Sequence, residues 1–138
     1  MIVLDTNIVS ELMRRRPEPK VIDWLDRQVA ESLWTTAVTV LELRMGIESV
    51  ADTTRRSRLE TEYSQVIELD LGGRIAPFDR GAGLLGGVMA AALRSSGRGI
   101  DIRDLQIGAI VSFRGAVLAT RNTRHFQDLG IPLVDPWG

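Results

Sequence analysis

The stretch Ile2-Val3-Leu4-Asp5-Thr6-Asn7-Ile8-Val9-Ser10-Glu11 decides how the rest of the chain is read. Ile2–Leu4 is a short apolar run that stops at an acid, the pattern of a buried strand. Apolar residues then return at Ile8, Val9, Leu12 and Met13, the spacing of one helical face. This predicts a helix over Thr6–Arg16, broken by Pro17 and Pro19. A strand that runs directly into a helix opens an alternating α/β pattern, and Asp5 stands at the junction.

The pattern continues outward from there. Pro19–Gln28 reads as a helix with Val21, Ile22, Trp24, Leu25 and Val29 marking its apolar side, Leu33–Thr36 as a strand, and Thr39–Ser49 as a helix that starts almost at once. Arg55–Leu69 is a polar helix with Leu59, Tyr63, Val66 and Ile67 at helical spacing, and Arg74–Pro77 a short strand. Asp79 is placed to cap a helix over Arg80–Ser95, where close helix packing is the expected reason for Gly81, Gly83, Gly86 and Gly87. A turn at Ser96–Gly99 leads to a helix over Asp104–Phe113 and strands at Ala116–Ala119 and Pro132–Val134. No repeat, linker or low-complexity segment interrupts residues 1–138, so one α/β domain with a mostly parallel sheet, covered on both faces, is expected. Sites in such sheets form outside the carboxyl ends of the strands.

Composition narrows the chemistry. The chain has 138 residues, 44% hydrophobic and 25% charged, which suits a single ordered domain. It has no cysteine and one histidine, His125, which excludes thiolate nucleophiles, disulfides and multi-histidine metal cages. Any metal must therefore be held by oxygen, which favours Mg²⁺, Mn²⁺ or Ca²⁺. The net charge of −1 argues against a nucleic-acid coat protein but leaves a nuclease open, because metal-holding acids lower the sum. Lys20 is the only lysine among 17 basic residues, a bias that base composition of the genome explains as well as phosphate binding does. The opening Met1–Asp5 has no basic leader, and no segment has the apolar length of a membrane span, so a cytoplasmic location is expected.

Asp5 follows the first strand, Glu42 falls in the first turn of the helix after the second, Asp104 opens the helix before Ala116–Ala119, and Asn122 follows that strand. All four belong near one rim of the sheet. Converging carboxylates repel one another, and a divalent cation removes the repulsion, activates a water for attack and stabilises charge on a phosphate. Taken singly, Asp5 and Asp104 read as helix caps and Glu42 as an exposed helix residue. Their joint placement is what favours a site.

The same segments resemble those of a known family. Ile2–Glu11 resembles the opening motif of PIN domains. Thr39-Val40-Leu41-Glu42-Leu43-Arg44-Met45-Gly46 resembles the segment carrying their second acid, and Asp104-Leu105-Gln106-Ile107-Gly108-Ala109-Ile110 the helix carrying their third. Leu118–Phe126, with Thr120-Arg121-Asn122, resembles the segment that ends in their fourth position, and Asp135-Pro136-Trp137 is similar to the close of the FitB-like subgroup of VapC toxins. The resemblance runs along essentially the whole chain. It implies a three-layer α/β/α sandwich and a Mg²⁺-dependent endoribonuclease, with Mn²⁺ as a substitute. It further implies the toxin half of a toxin–antitoxin pair, RNA as substrate, an antitoxin as partner, and a homodimer. Carried over residue by residue, Asp5, Glu42 and Asp104 become metal ligands. Asn122 becomes a fourth catalytic position, Thr6 or Asn7 an orienting residue and Thr120 a hydroxyl donor beside the site; Arg121 and Arg124, which flank the rim in sequence, are expected to contact substrate phosphate. Where the family carries Asp, Asn122 adds no charge. One-metal chemistry, or a second ion that arrives only with RNA, fits that departure, and Asp101 is a nearby acid better suited to a turn.

Other features take plainer readings. Glu11 is expected to pair with Arg14 or Arg15, the run Arg14–Arg16 to be a solvated helix end, and Arg55, Arg56 and Arg58 a wet helix face. His125 is expected to be packed or at the surface, and Trp24, Trp34 and Trp137 to anchor the core or an interface. A receiver-type phosphoacceptor or a dehalogenase-type phosphatase would need a lysine that the chain lacks at the required place, and Thr6–Ser10 has no glycine to form a phosphate loop. The remaining alternative is a non-catalytic PIN-fold module that binds RNA or a partner.

Overall fold

The structure, a computed structural model, describes Met1–Gly138. Five strands, β1 (Ile2–Leu4), β2 (Leu33–Thr36), β3 (Ile75–Ala76), β4 (Val117–Ala119) and β5 (Leu133–Val134), form one wholly parallel sheet in the order β3-β2-β1-β4-β5. Ile2 lies beside Leu33 on one side and Val117 on the other. The chain builds outward from β1 in one direction and then returns to build in the other. The strand order therefore reverses between β1 and β4, where a doubly wound sheet opens a crevice.

Short strands suffice because both faces are buried. Alternate residues of one strand point to opposite faces. Leu4 and Ala119 accordingly join a core with Ile8, Val21, Leu43 and Val66, while Val3 and Leu118 join a second core with Ile107, Ile110 and Phe126. The first core is closed by α1 (Thr6–Leu12), α2 (Pro19–Asp26), α3 (Ala37–Glu48) and α4 (Thr53–Ser64), the second by α5 (Arg80–Ser95), α6 (Ile102–Phe113) and α7 (Thr123–Phe126). This is the expected three-layer sandwich.

Several boundaries shift for identifiable reasons. α1 stops at Leu12, short of Arg16. Residues preceding Pro17 avoid helical geometry, and Glu11 turns its carboxylate onto the Glu18 N–H and the Arg14 guanidinium. α3 begins at Ala37 because the Thr36 hydroxyl accepts from the Thr39 N–H at 3.1 Å, which moves Glu42 from the first turn into the second. α4 starts at Thr53, capped by Asp52, and at Gln65–Asp70 the helix widens into a π turn. α6 is capped by Asp101, not opened by Asp104, which sits in the first turn.

The expectation for the glycines of α5 holds for only part of the set. Gly86 packs directly on α6, where an added Cβ would lie 3.2 Å from the Ala109 Cβ, and one on Gly81 would strike the Phe113 ring. Gly83 and Gly87 face open space. Trp24 and Trp137 pack at the edge of the first core and Trp34 at the edge of the second. No helix is long and apolar enough to cross a membrane.

Candidate active site

Asp5 is fixed at the reversal point by the backbone on both sides of it. Its N–H donates to the Ala119 carbonyl at 2.9 Å, which extends the β1–β4 ladder by one residue, and its side chain caps α1 by accepting from the Thr6 N–H at 2.8 Å. The capping reading of Asp5 thus holds, and the cap occupies only one of its carboxylate oxygens. The other carboxylate oxygen accepts from the Thr120 hydroxyl at 2.7 Å and from the Asn7 amide at 3.3 Å. Asn7 in turn accepts from the Arg121 N–H, and the Thr120 hydroxyl accepts from the Asn122 N–H. Asp5 and Thr120 are both buried. Burial raises the Asp5 carboxyl above its usual range, and these hydrogen bonds only partly offset it.

Glu42 is reached through hydroxyls. Thr6 Oγ1 lies 2.9 Å from Thr39 Oγ1 and donates to Glu42 Oε1 at 3.3 Å, while Thr39 is itself 3.5 Å from the Thr36 hydroxyl. Asp104 projects from α6 toward the same rim and meets His125 Nδ1 at 3.3 Å. Burial again raises the pKa of both Glu42 and Asp104. The next effect on Glu42 is Arg103, which pulls it down, whereas Asp5 and Asp104 push it up. For Asp104 the Asp5 charge is the second cause and pushes upward. The three acids therefore share one electrostatic environment, and none is neutralised by a guanidinium ion pair.

No three acidic or histidine side chains stand close enough to grip one ion together. Mg²⁺ asks for less than that, since it keeps several waters and takes one or two direct carboxylates. The donor set fits such a hard cation: all oxygen, destabilised as anions by burial and by one another, with Glu42 Oε2 uncommitted.

The remaining expected residues divide. Asn122 exposes its side chain, which makes no cap hydrogen bond, and it reaches Thr120 only through its backbone. Arg124 is exposed and, with Asp104 and His125, lines a depression of about 350 Å³. Arg121 stacks its guanidinium on the Trp137 ring, 4.9 Å from the centroid. Glu11 is buried and paired with Arg14 at 3.1 Å, away from the other acids' network. Asp101 is the cap of α6. His125 is at the surface, yet it stands against Asp104 and so belongs to the rim. Thr36, Thr39 and Arg103 were not singled out in the sequence. Thr39 was detectable as the residue one helical turn before Glu42 in the quoted motif; the reach of Arg103 toward Glu42 has no sequence signal.

Residues 2–131 match the PIN domain family. The chain belongs to that family. Among curated relatives, this PIN domain is 36% identical to the VapC ribonuclease Y4jK of Sinorhizobium fredii over 99% of the chain and 98% of the relative. It is 31% identical to Toxin FitB of Neisseria gonorrhoeae, over 99% of each. Among solved structures, FitAcB from Neisseria gonorrhoeae superposes with a TM-score of 0.90 at 31% identity, covering 99% of both chains. The parallel sheet, the reversal at β1 and the rim acids of the PIN domain described above are thus set in a whole-chain likeness, not a local motif.

Proposed function

We propose that this chain is a metal-dependent endoribonuclease that acts as the toxin of a toxin–antitoxin pair, using Mg²⁺ or Mn²⁺ to hydrolyse RNA phosphodiester bonds in the cytoplasm. The observation that carries the reading is the placement of Asp5, Glu42 and Asp104 on one rim, where burial raises their pKa values, repulsion adds to the rise at Glu42 and Asp104, and no guanidinium forms an ion pair with any of them. The whole-chain likeness to a named ribonuclease and a named toxin supports it. An antitoxin partner and a homodimer follow from the same kinship.

In this reading Asp5, Glu42 and Asp104 hold the cation, directly or through its waters. When bound, the cation supplies Lewis-acid chemistry toward a phosphodiester and offsets the repulsion among the acids. The chain's own work is positioning. Thr120, Asn7 and the Thr6 N–H lock the Asp5 carboxylate, Thr6 holds Glu42, and His125 holds Asp104. Arg124 is left free to meet a substrate phosphate at the rim.

The test is to incubate the chain, free of any antitoxin, with labelled structured RNA in Mg²⁺, in Mn²⁺ and in EDTA. Cleavage in the metal buffers that EDTA abolishes is the expected result. Metal binding without cleavage would point to a different RNA target, and neither cleavage nor metal binding would favour the non-catalytic binding module.

A further inference from the structure

A second cleft shares a wall with the acid site. It has a volume of about 390 Å³ and lies between α1, α3 and α4, with Thr6 and Glu42 in its lining. That volume falls in the range of small-molecule sites, roughly 300–1,000 Å³. Apart from Glu42 its charged residues are all arginines: Arg14, Arg55 and Arg58. Arg55 and Arg58 are one helical turn apart on α4 and so share a face.

The arginines of this region separate sharply by partner. Arg44 pairs with Glu48 and Glu60, Arg56 with Glu48, and Arg14 with Glu11. Arg58 has no such acceptor, and its Nη1 is buried without a hydrogen-bond partner; Arg56 Nε is also buried and unpartnered, but that guanidinium is held by Glu48 through its Nη2. Leaving a buried charged donor unsatisfied is costly unless something supplies an acceptor. Besides Thr6, Ser10 and Gly46, the rest of the lining is apolar, and it is partly open. Leu43, Ile47 and Leu59 form its floor, Met45 is half exposed, and a Cβ on Gly46 would find nothing within 4 Å. Arg55 is exposed, as expected of a wet helix face, whereas Arg58 is half-buried, and both also line a cleft beside the site.

We propose that this cleft is a nucleotide subsite for the RNA strand being cut. It takes a phosphate neighbouring the scissile one on Arg55 and Arg58 and lays the attached base on the Leu43, Met45 and Leu59 surface. The proposal rests on the nuclease reading. An anion is called for by the unpaired guanidinium, and guanidinium meets phosphate with paired hydrogen bonds. An acidic peptide would also offer oxygens. The shared wall with Glu42 favours RNA, because a strand held at the acids extends its neighbouring nucleotides along the rim, and this cleft opens directly from it.

Two variants test this by opposite means. Arg58→Gln removes the cation, and Gly46→Leu fills the cleft from a helical position with room for the side chain. Arg94→Gln, exposed on α5, is the control. Binding of a short fluorescein-labelled single-stranded RNA is read by anisotropy in EDTA across a salt series, and KM and kcat are read in Mn²⁺. Both variants are expected to weaken binding and raise KM by about tenfold, and Arg58→Gln to lower the salt slope by about 0.7, one phosphate contact on a single strand. The kcat of both is expected to stay within about twofold, and melting temperatures identify any variant that fails to fold. Folded variants with unchanged affinity and KM overturn the proposal. So does loss of binding to a poly-glutamate peptide with RNA binding intact, which would assign the cleft to a protein partner. A wild-type chain that neither binds nor cuts RNA overturns the nuclease reading as well, and that outcome is visible before any variant is made.

Discussion

Thr120 donates its hydroxyl to Asp5 across 2.7 Å, although the two residues are 115 positions apart in the chain. The contact spans the place where the strand order reverses, so it ties β1 to β4 and aims an acid at the same time. The Thr120 hydroxyl is fully used, since it also accepts from the Asn122 N–H at 3.0 Å and the Asn7 amide at 3.3 Å.

Thr120→Val keeps the shape and strips those three bonds. It is expected to cost about 1–3 kcal/mol, the range for buried groups left unsatisfied. It is also expected to cut kcat by tenfold or more, because Asp5 loses its aim. Thr120→Ser restores both. Thermal melts and steady-state cleavage check this; a Val variant as stable and active as Ser would show that the bond does not position Asp5.

The rim acids give the metal-free chain a definite pH dependence. Burial raises the folded-state pKa of Asp5, Glu42 and Asp104 above their ordinary values. Groups shifted this way stabilise the fold below the ordinary carboxylate range, and that contribution is lost as pH rises through the folded-state values. A cation that binds the ionised site acts oppositely. The melting temperature gained on adding Mn²⁺ is therefore expected to be larger at neutral pH than at pH values near the unperturbed carboxylates. At a free concentration of 100 Kd the gain corresponds to about 2.7 kcal/mol. Scanning calorimetry with and without metal at the two pH values decides it; an equal gain at both would mean the metal binds elsewhere.

Asn122 is the departure from the family pattern that geometry leaves least committed, since its side chain is exposed and does not cap α7. Asn122→Ala is expected to leave stability within about 0.5 kcal/mol. Asn122→Asp is expected to tighten Mn²⁺ binding severalfold by adding a charge beside the rim. Isothermal titration measures this, and an unchanged affinity would place the side chain outside the metal's reach.

Two glycines of α5 separate packing from propensity. Gly87 faces open space, so Gly87→Ala is expected to stabilise by about 0.5–1 kcal/mol. Gly86→Ala pushes against the fully buried Ala109 and is expected to destabilise by about 1–3 kcal/mol. Denaturant melts would show opposite signs; the same sign for both would mean that α5 and α6 do not meet at Gly86.

Where the sequence was legible, one periodicity dominated. Ile2–Leu4 and Ala116–Ala119 could be read as strands because residues buried on both faces leave an unbroken apolar run, and Arg80–Ser95 because Asp79 caps it. Boundaries slipped where a side chain decided them, as when Thr36 in place of Thr39 set the start of α3, or Asp101 in place of Asp104 the start of α6. The acids were legible through their strand-end positions and the family likeness. Of the network that aims them, Thr6, Asn7 and Thr120 were named through the likeness alone, while Thr36 and Thr39 were not, because these hydroxyls meet only after the sheet is assembled. Arg58, half-buried where a solvated residue was expected, misled for a related reason. A charged helix face looks solvated in sequence, and only the packing of α1, α3 and α4 makes it the wall of a cleft.

The most direct test of the central claim compares the wild-type chain with Asp104→Asn on labelled RNA, each in Mn²⁺ and in EDTA, after melts confirm that both are folded. Removing one of three mutually repelling acids should not destabilise the metal-free chain. It should reduce Mn²⁺-dependent cleavage by about a hundredfold or more, as loss of a group that acts only in the reaction does. Cleavage by Asp104→Asn at the wild-type rate, or cleavage by either chain that survives EDTA, would contradict a metal-dependent nuclease built on Asp5, Glu42 and Asp104.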